Sequence, residues 1–250
     1  MKKSWTDWGR WKLKNKQDWV ETAKRNAAFE AVKHVEDGFV VGLGSGSTAA
    51  YAIEEIGNRI KREELHLLAV PTSYQAFMLA VKHKIQITTL EEHSTLDLTI
   101  DGADQVDDEL NLIKGMGGAL AREKIVASAS KKNIIIADEN KKVKILGENN
   151  HPVPVEVLPF AVTLVTHKME EIGGKPTVRE AVKKVGPVIT DNGNVVIDTV
   201  FGLIRKPEEL ERKLKSVIGV VETGLFVRMA DVVYLGREST VARLERKTRL

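Results

Sequence analysis

The sequence contains no cysteine, which removes disulfides, thiolate nucleophiles and cysteine-based zinc sites together. It has no apolar run approaching the roughly 20 residues needed to span a bilayer. The N-terminus also lacks the apolar stretch of a secretory signal, so the expected compartment is the cytoplasm and no membrane partner is expected. Its six histidines form no H-x-x-x-H or H-E-x-x-H pattern, and His34, His66 and His83 read as surface positions. No Ser/His/Asp order can be defended. Covalent and metal-dependent chemistry therefore find little support.

What is present suits a globular protein. The 250 residues are 42% hydrophobic and 29% charged, enough for one large domain or a domain with a lid. The net charge of +3 is unevenly spread. Residues 1–16 carry Lys2, Lys3, Arg10, Lys12, Lys14 and Lys16 against Asp7 alone, so the remaining chain is slightly acidic. Such a body is not that of a general nucleic-acid binder, and no nucleic-acid partner is expected. Trp5, Trp8, Trp11 and Trp19 all fall at the same end. Basic residues interleaved with indoles could stack on bases or sit at a membrane surface, but the plainer expectation is an extension packed on the body or on a neighbouring subunit.

Asp18 followed by Glu21 reads as a capping box, after which Val20, Ala23, Ala27, Ala31, Val32 and Val35 recur at helical spacing. Phe39–Leu43 is a short buried strand, and Ser47 opens a helix. His66–Val70, Ile85–Thr89 and Leu96–Ile100 are further strands, with a helix from Pro71-Thr72-Ser73 through Val81. A helix from about Ala119 to Lys131 leads into the strand Ile134–Ala137. Strands alternating with helices predict an α/β fold: a Rossmann-like, mostly parallel sheet with helices on both faces. The texture changes near Asn149–Pro154. Val188–Thr190 and Val195–Ile197 flank Asp191-Asn192-Gly193-Asn194, a hairpin signal, and this stretch reads as a small α+β lid domain. Gly224–Phe226 and Asp231–Leu235 read as a return to the first sheet. The expected division is 1–17 as a basic, Trp-rich extension, 18–150 with 224–250 as the Rossmann-like domain, and 151–223 as the smaller domain.

Four clusters carry polar chemistry, three of them directly after strands, where open α/β sheets bind ligands. Gly42–Thr48 is a glycine-rich turn entering a helix; its amides and the Ser47 and Thr48 hydroxyls suit an anion. It is neither a Walker A loop nor a G-x-G-x-x-G fingerprint; the alternative reading is a tight turn with an N-cap serine. Asp101-Gly102-Ala103-Asp104 places two carboxylates at a strand end, for sugar hydroxyls, for acid/base work or, with Asp107 and Asp108, for magnesium; Asp in turns is also an ordinary cap. Lys114–Ala119 is a second glycine loop, followed by Arg122-Glu123-Lys124, where Glu123 also suits the positive end of a helix. Asp138-Glu139-Asn140-Lys141 offers Lys141 as a phosphate partner or as a solvated side chain.

The ordered motifs GLGSGSTA (42–49), DGADQVD (101–107), KGMGGALAREK (114–124) and DENKKV (138–143) resemble the A-type ribose-5-phosphate isomerase family. The resemblance runs from about residue 18 to the C-terminus and includes ITDNGNVVIDT (189–199) and IGVVETGLF (218–226). It implies a homodimeric or homotetrameric enzyme of the non-oxidative pentose phosphate pathway that interconverts D-ribose 5-phosphate and D-ribulose 5-phosphate. It implies Glu123 as catalytic base, with Asp101, Asp104 and Lys114 as further catalytic groups. It implies substrate binding by Ser45, Gly46, Ser47 and Thr48, by Gly102 and Ala103 between the two aspartates, by Gly115, Met116 and Gly117 after Lys114, and by Lys141; Lys24 also faces the phosphate. Met116 stands where the family usually has glycine, Ser45 where it usually has threonine, and residues 1–17 have no counterpart.

On that reading the carboxylate moves a proton between C2 and C1, Lys114 steadies the developing oxyanion, Asp101 opens the ring and Asp104 orients hydroxyls, with the two aspartate roles interchangeable. The mechanism requires no metal or cofactor, and none is expected. Two rivals remain. A sugar-phosphate deaminase would need a histidine beside its carboxylates, and none neighbours Asp101, Asp104 or Glu123 in sequence. A sugar-phosphate-sensing regulatory domain would keep the phosphate loop without needing Glu123 and Lys114 together.

Overall fold

The computed structural model describes residues 5–246, with side chains from residue 19 onward. The chain begins with helix α1 (Trp5–Val32), strand β1 (Val40–Leu43), helix α2 (Ser47–Glu63), strand β2 (Leu68–Pro71), helix α3 (Tyr74–Lys82) and strand β3 (Gln86–Ile87). Strands β4 (Leu98–Gly102), β5 (Gln105–Val106) and β6 (Leu112–Ile113) follow, then helix α4 (Leu120–Ser128) and strand β7 (Asn133–Asp138). Next come β8 (Val153–Val157), α5 (Val162–Glu171), β9 (Lys175–Val178), β10 (Val195–Val200) and α6 (Pro207–Lys215). The chain closes with β11 (Val220–Thr223), β12 (Leu225–Phe226), β13 (Val232–Gly236) and β14 (Val241–Glu245).

Seven strands form the main sheet in the order β14-β13-β7-β4-β1-β2-β3. All neighbours are parallel except β13 and β14. A parallel sheet is covered on both faces, so its strands read as nearly continuous apolar runs. β7 shows why: Ile134 and Ile136 join a core with α1, α2 and α3 residues such as Ala27, Ile53 and Ala76. Ile135 and Ala137 point the other way, against Leu112, Phe226 and Val233. That second face is covered by α4, whose Val126 packs with Val40 and Val70, and by a three-stranded sheet, β12-β6-β5. From β1 the chain builds outward to β2 and β3, then crosses back to β4 on the other side. The crevice above the carboxyl ends of β1 and β4 is therefore the switch point at which such sheets bind ligands.

A four-stranded antiparallel sheet, β11-β8-β10-β9, buries Val153, Val155, Val157 and Ile197 against Val165 and Met169 of α5 and Leu214 of α6. Its opposite face, carrying Pro154 and Glu156, approaches α4.

Several elements differ from the sequence reading. α1 starts at Trp5 and runs through Asp18 and Glu21, because residues spaced i, i+3 also face one another inside a helix. The packing expected for the indoles of residues 5, 8 and 11 lies outside the described side chains. β4 extends to Gly102, placing Asp101 within the strand, and Leu96 forms only an isolated bridge to Ser130. Leu225–Phe226 pairs with β6 in the three-stranded sheet instead of joining the first. Asp107 is a buried cap that accepts from the Glu109 and Asn111 amides and from Asn111 Nδ2, while Asp108 pairs with Lys142. Asp107 thus serves the local turn and Asp108 a distant lysine.

Candidate active site

A cavity of about 280 Å³ opens above β1 and β4, below the ~300–1,000 Å³ of drug-sized sites and suited to a small metabolite. Its first wall is the β1–α2 turn. α2 begins after Gly46, which has a φ of +94° and, lacking a side chain, gives the helix no side-chain cap. The expected N-cap serine is thus replaced by glycine, and Ser47 and Thr48 sit in the first helical turn, where the opening amides have no intrahelical acceptor. Both residues line the cavity. Ser45 is fixed by a hydroxyl chain, 2.8 Å from Thr72 Oγ1 and 2.6 Å from Ser73 Oγ, and Gln75 Oε1 accepts from the Gly46 amide at 2.9 Å. Gly44 must be glycine because a Cβ there would lie 2.1 Å from Asp101 Oδ1.

Behind this wall lies a buried charge cluster. Lys114 Nζ is 3.0 Å from Asp101 Oδ2 and 3.3 Å from Glu123 Oε2, and the three side chains are only 4%, 3% and 6% exposed. The ammonium also donates to Gly102 O at 2.6 Å. Asp101 Oδ1 accepts from the Ser45 and Gly102 amides at 3.0 and 2.7 Å, so Asp101 is fully engaged. Glu123 differs. Its Oε2 makes an ion-pair contact with the ammonium at 3.3 Å, and no backbone amide among the described residues holds it as the Ser45 and Gly102 amides hold Asp101.

Burial pushes the Glu123 carboxyl up, the Asp101 charge adds to the shift and Lys114 opposes it, giving a pKa of about 8. Burial by itself would lower the Lys114 ammonium, but the Asp101 and Glu123 charges outweigh it and the net shift is upward. Lys114 thus stays cationic while Glu123 is poised near neutrality, where a proton-transfer group works best.

The second glycine loop forms the opposite wall. Asp104 Oδ2 accepts from the Met116 amide at 3.0 Å. Arg179 of the four-stranded sheet region donates to the carbonyls of Gly115 and Met116 at 3.0 and 2.9 Å, and is itself held by Asp198 at 2.7 Å. Of the residues expected from sequence, Ser45, Gly46, Ser47, Thr48, Gly102, Ala103, Asp104, Lys114, Gly115, Gly117, Glu123, Lys141 and Lys24 line the cavity. Asp101 stands behind the wall, and the Met116 side chain is exposed outside it.

Sequence reasoning missed Ser73, Gln75 and the segment Val188–Asp191, which complete the lining. Ser73 had been noted only as a helix cap, a role it does fill by accepting from the Ala76 amide. His151 lies outside the lining residues of the cavity. It is remote in sequence but close enough to feel the Asp104 charge, and burial outweighs that charge to hold its imidazole below the usual range.

The family model described as ribose 5-phosphate isomerase A (phosphoriboisomerase A) matches residues 68–240. A ribose-5-phosphate isomerase A of Methanosarcina acetivorans is 50% identical over 221 residues, covering 88% of this chain and 93% of the relative. The solved ribose 5-phosphate isomerase A of Methanocaldococcus jannaschii is 46% identical with a TM-score of 0.87, over 90% of this chain and 99% of that one. A solved D-ribose-5-phosphate isomerase in complex with phospho-erythronic acid is 45% identical with a TM-score of 0.88, covering 91% of this chain and 99% of the other.

Proposed function

This chain belongs to the ribose 5-phosphate isomerase A family and is an isomerase of ribose 5-phosphate; from that premise we propose that Glu123 is the base that carries the proton between C2 and C1. The observation that carries the assignment is the Glu123 carboxylate, which lines the cavity while buried 3.3 Å from the Lys114 ammonium. In the open-chain aldose, the carboxylate removes the C2 proton and the electron pair becomes the C1–C2 double bond. The carbonyl electrons move onto O1, giving an enediolate. Returning the proton to C1, with one proton exchanged between O1 and O2, yields the ketose. Atoms and electrons balance without an oxidant or reductant.

Lys114 stabilises the charge on oxygen, a contribution that is often larger than that of the base. The geometry favours exchanging the roles first given to the two aspartates. Asp101 spends both oxygens on Lys114 and the loop amides, so it serves as the anchor of the cation. Asp104 lines the cavity and is placed to open the ring and shuttle the hydroxyl proton. The phosphate, which does not react, sits at the α2 N-terminus with Ser47 and Thr48, within reach of Lys24 and Lys141. Its binding energy positions the distant carbons. Phospho-erythronic acid, held by the solved relative, pairs a phosphate with a carboxylate, a charge pattern close to that of the enediolate.

In this reading residues 18–150 with 224–250 form the catalytic domain and 151–223 the smaller lid. The protein acts as a homodimer or homotetramer; the exposed apolar stripe Tyr74, Phe77, Met78 and Val81 along α3 supports such an assembly. No helix among the described residues is long and apolar enough to cross a membrane. A cytoplasmic location goes with a phosphorylated sugar substrate, whose charge keeps it from crossing membranes unaided.

The test is ribulose 5-phosphate formation in deuterated buffer with a chelator present, following label at C1 and C2. Glu123→Gln should lose about 10²–10⁴-fold in kcat while still binding the sugar phosphate. Unchanged kcat in that variant would remove Glu123 from the role.

A further inference from the structure

Glu156 is a carboxylate with 0% exposure, on the face of β8 that approaches α4 and away from the apolar core of its own sheet. A buried charge is unfavourable by several kcal/mol unless hydrogen bonds compensate it. Here the compensation is concentrated on one atom. Oε1 accepts from Thr190 Oγ1 at 2.9 Å, Asn192 Nδ2 at 3.0 Å and Asn194 Nδ2 at 2.8 Å, while Oε2 accepts nothing from the described residues. The three donors belong to the Thr190–Asn194 turn, whose asparagines a hairpin alone would not require. The turn itself closes with Thr190 N donating to Asn194 O and Gly193 N to Thr190 O, both at 2.9 Å.

The same turn reaches across to both walls of the cavity. Asp191 Oδ2 accepts from the Tyr74 amide at the start of α3, at 2.7 Å. Arg122, the residue before Glu123, donates to Asn192 Oδ1 at 2.7 Å and to Asp191 O at 2.9 Å. Thr190 and Asp191 line the cavity themselves.

We propose that Glu156 is a positioning residue for the isomerase: it shapes the 190–194 turn so that Asp191 and Asn192 clasp α3 and α4 and close the sugar-phosphate cavity. It touches no substrate and acts through the turn. A neutral partner would weaken three charge-assisted bonds at once, and the clasp across α3 and α4 would loosen. The effect falls on substrate capture and on shielding the enediolate from water, while the proton-transfer groups stay in place. The inference rests on the assigned isomerase site, and the two are separable. An inactive wild type would fail the site assignment, whereas an active wild type with insensitive variants would fail only this proposal.

The experiment compares KM and kcat for ribose 5-phosphate in the wild type, Glu156→Gln, Asp191→Ala and the double variant, with Tm measured for each. Each single variant should raise KM at least fivefold and change kcat less than KM. The double variant should be no worse than the poorer single one, because both cut the same clasp. Multiplicative losses in the double variant, or an unchanged KM in Glu156→Gln, would overturn the proposal. Should Glu156→Gln fail to fold, Asn192→Ala decides: it removes one bond to Glu156 and the contact with Arg122, and an unchanged KM there refutes the idea. Glu156→Asp, which keeps the charge on a shorter stem, should recover part of the KM if position and charge both matter.

Discussion

As the proposed base, Glu123 can act only when ionised, and its carboxyl is held at about 8 by burial first and by the Asp101 charge second, against the pull of Lys114. A group with that pKa is ~10% ionised at pH 7 and ~1% ionised at pH 6. The value of kcat/KM should therefore climb about tenfold per unit below pH 7 and level off above about pH 9. The sign is fixed by the role: a base needs the charged form, so raising its pKa depresses activity on the acid side. Asp101→Asn provides the internal control. It removes the larger like-charge contribution, leaving burial and the more weakly acting Asp104 charge to raise Glu123 against Lys114, so the ascending limb should move to lower pH. The plateau should fall as well, because Lys114 loses an anchor at 3.0 Å; the position of the limb, not its height, is the readout. Initial rates of ketose formation at constant ionic strength, from about pH 5.5 to 9.5, give both curves. The substrate phosphate titrates near pH 6 identically in both, so it cancels in the difference. A wild-type limb in the ordinary carboxylate range, or a limb that Asp101→Asn leaves unmoved, would refute the reasoning.

Thr48→Ala should mainly raise KM, by roughly ten- to a hundredfold for one charge-assisted bond to phosphate of about 1.5–3 kcal/mol; a fall in kcat at constant KM would show that the α2 turn does something other than hold the phosphate. Sedimentation should give a mass two or four times the 27.7 kDa of the chain, and Met78→Lys on the α3 stripe should weaken the assembly; a wild-type monomer at micromolar concentration would refute the oligomer.

The parallel sheet was legible because a doubly buried strand has a distinctive local signature: Val40–Leu43 and Ile134–Ala137 are continuous apolar runs bounded by turns. The glycine loops were legible for a related reason, since glycines at a strand-to-helix junction report close backbone approach, as Gly44 against Asp101 confirms. Non-local relations left weaker traces. Asp101 and Asp104 look equivalent on paper, yet the strand pleat points Asp101 behind the wall and the following turn leaves Asp104 in the cavity. Asn192 and Asn194 suggested a hairpin, and nothing nearby in the chain pointed to a carboxylate some 40 residues earlier. Asp18 and Glu21 satisfied a capping pattern that an uninterrupted helix satisfies equally well.

The order of strands in the main sheet bears on how the protein is made. β13 is synthesised almost last, yet it lies between β14 and β7 and is the only partner on that side of β7. On the ribosome, every residue proposed for the reaction emerges before the strand that covers the edge formed by Ile134–Ala137. A nascent or truncated chain ending before residue 232 thus exposes an apolar, unpaired parallel strand, a template for aggregation. Completion of residues 232–250 is what covers that edge before the isomerase is released.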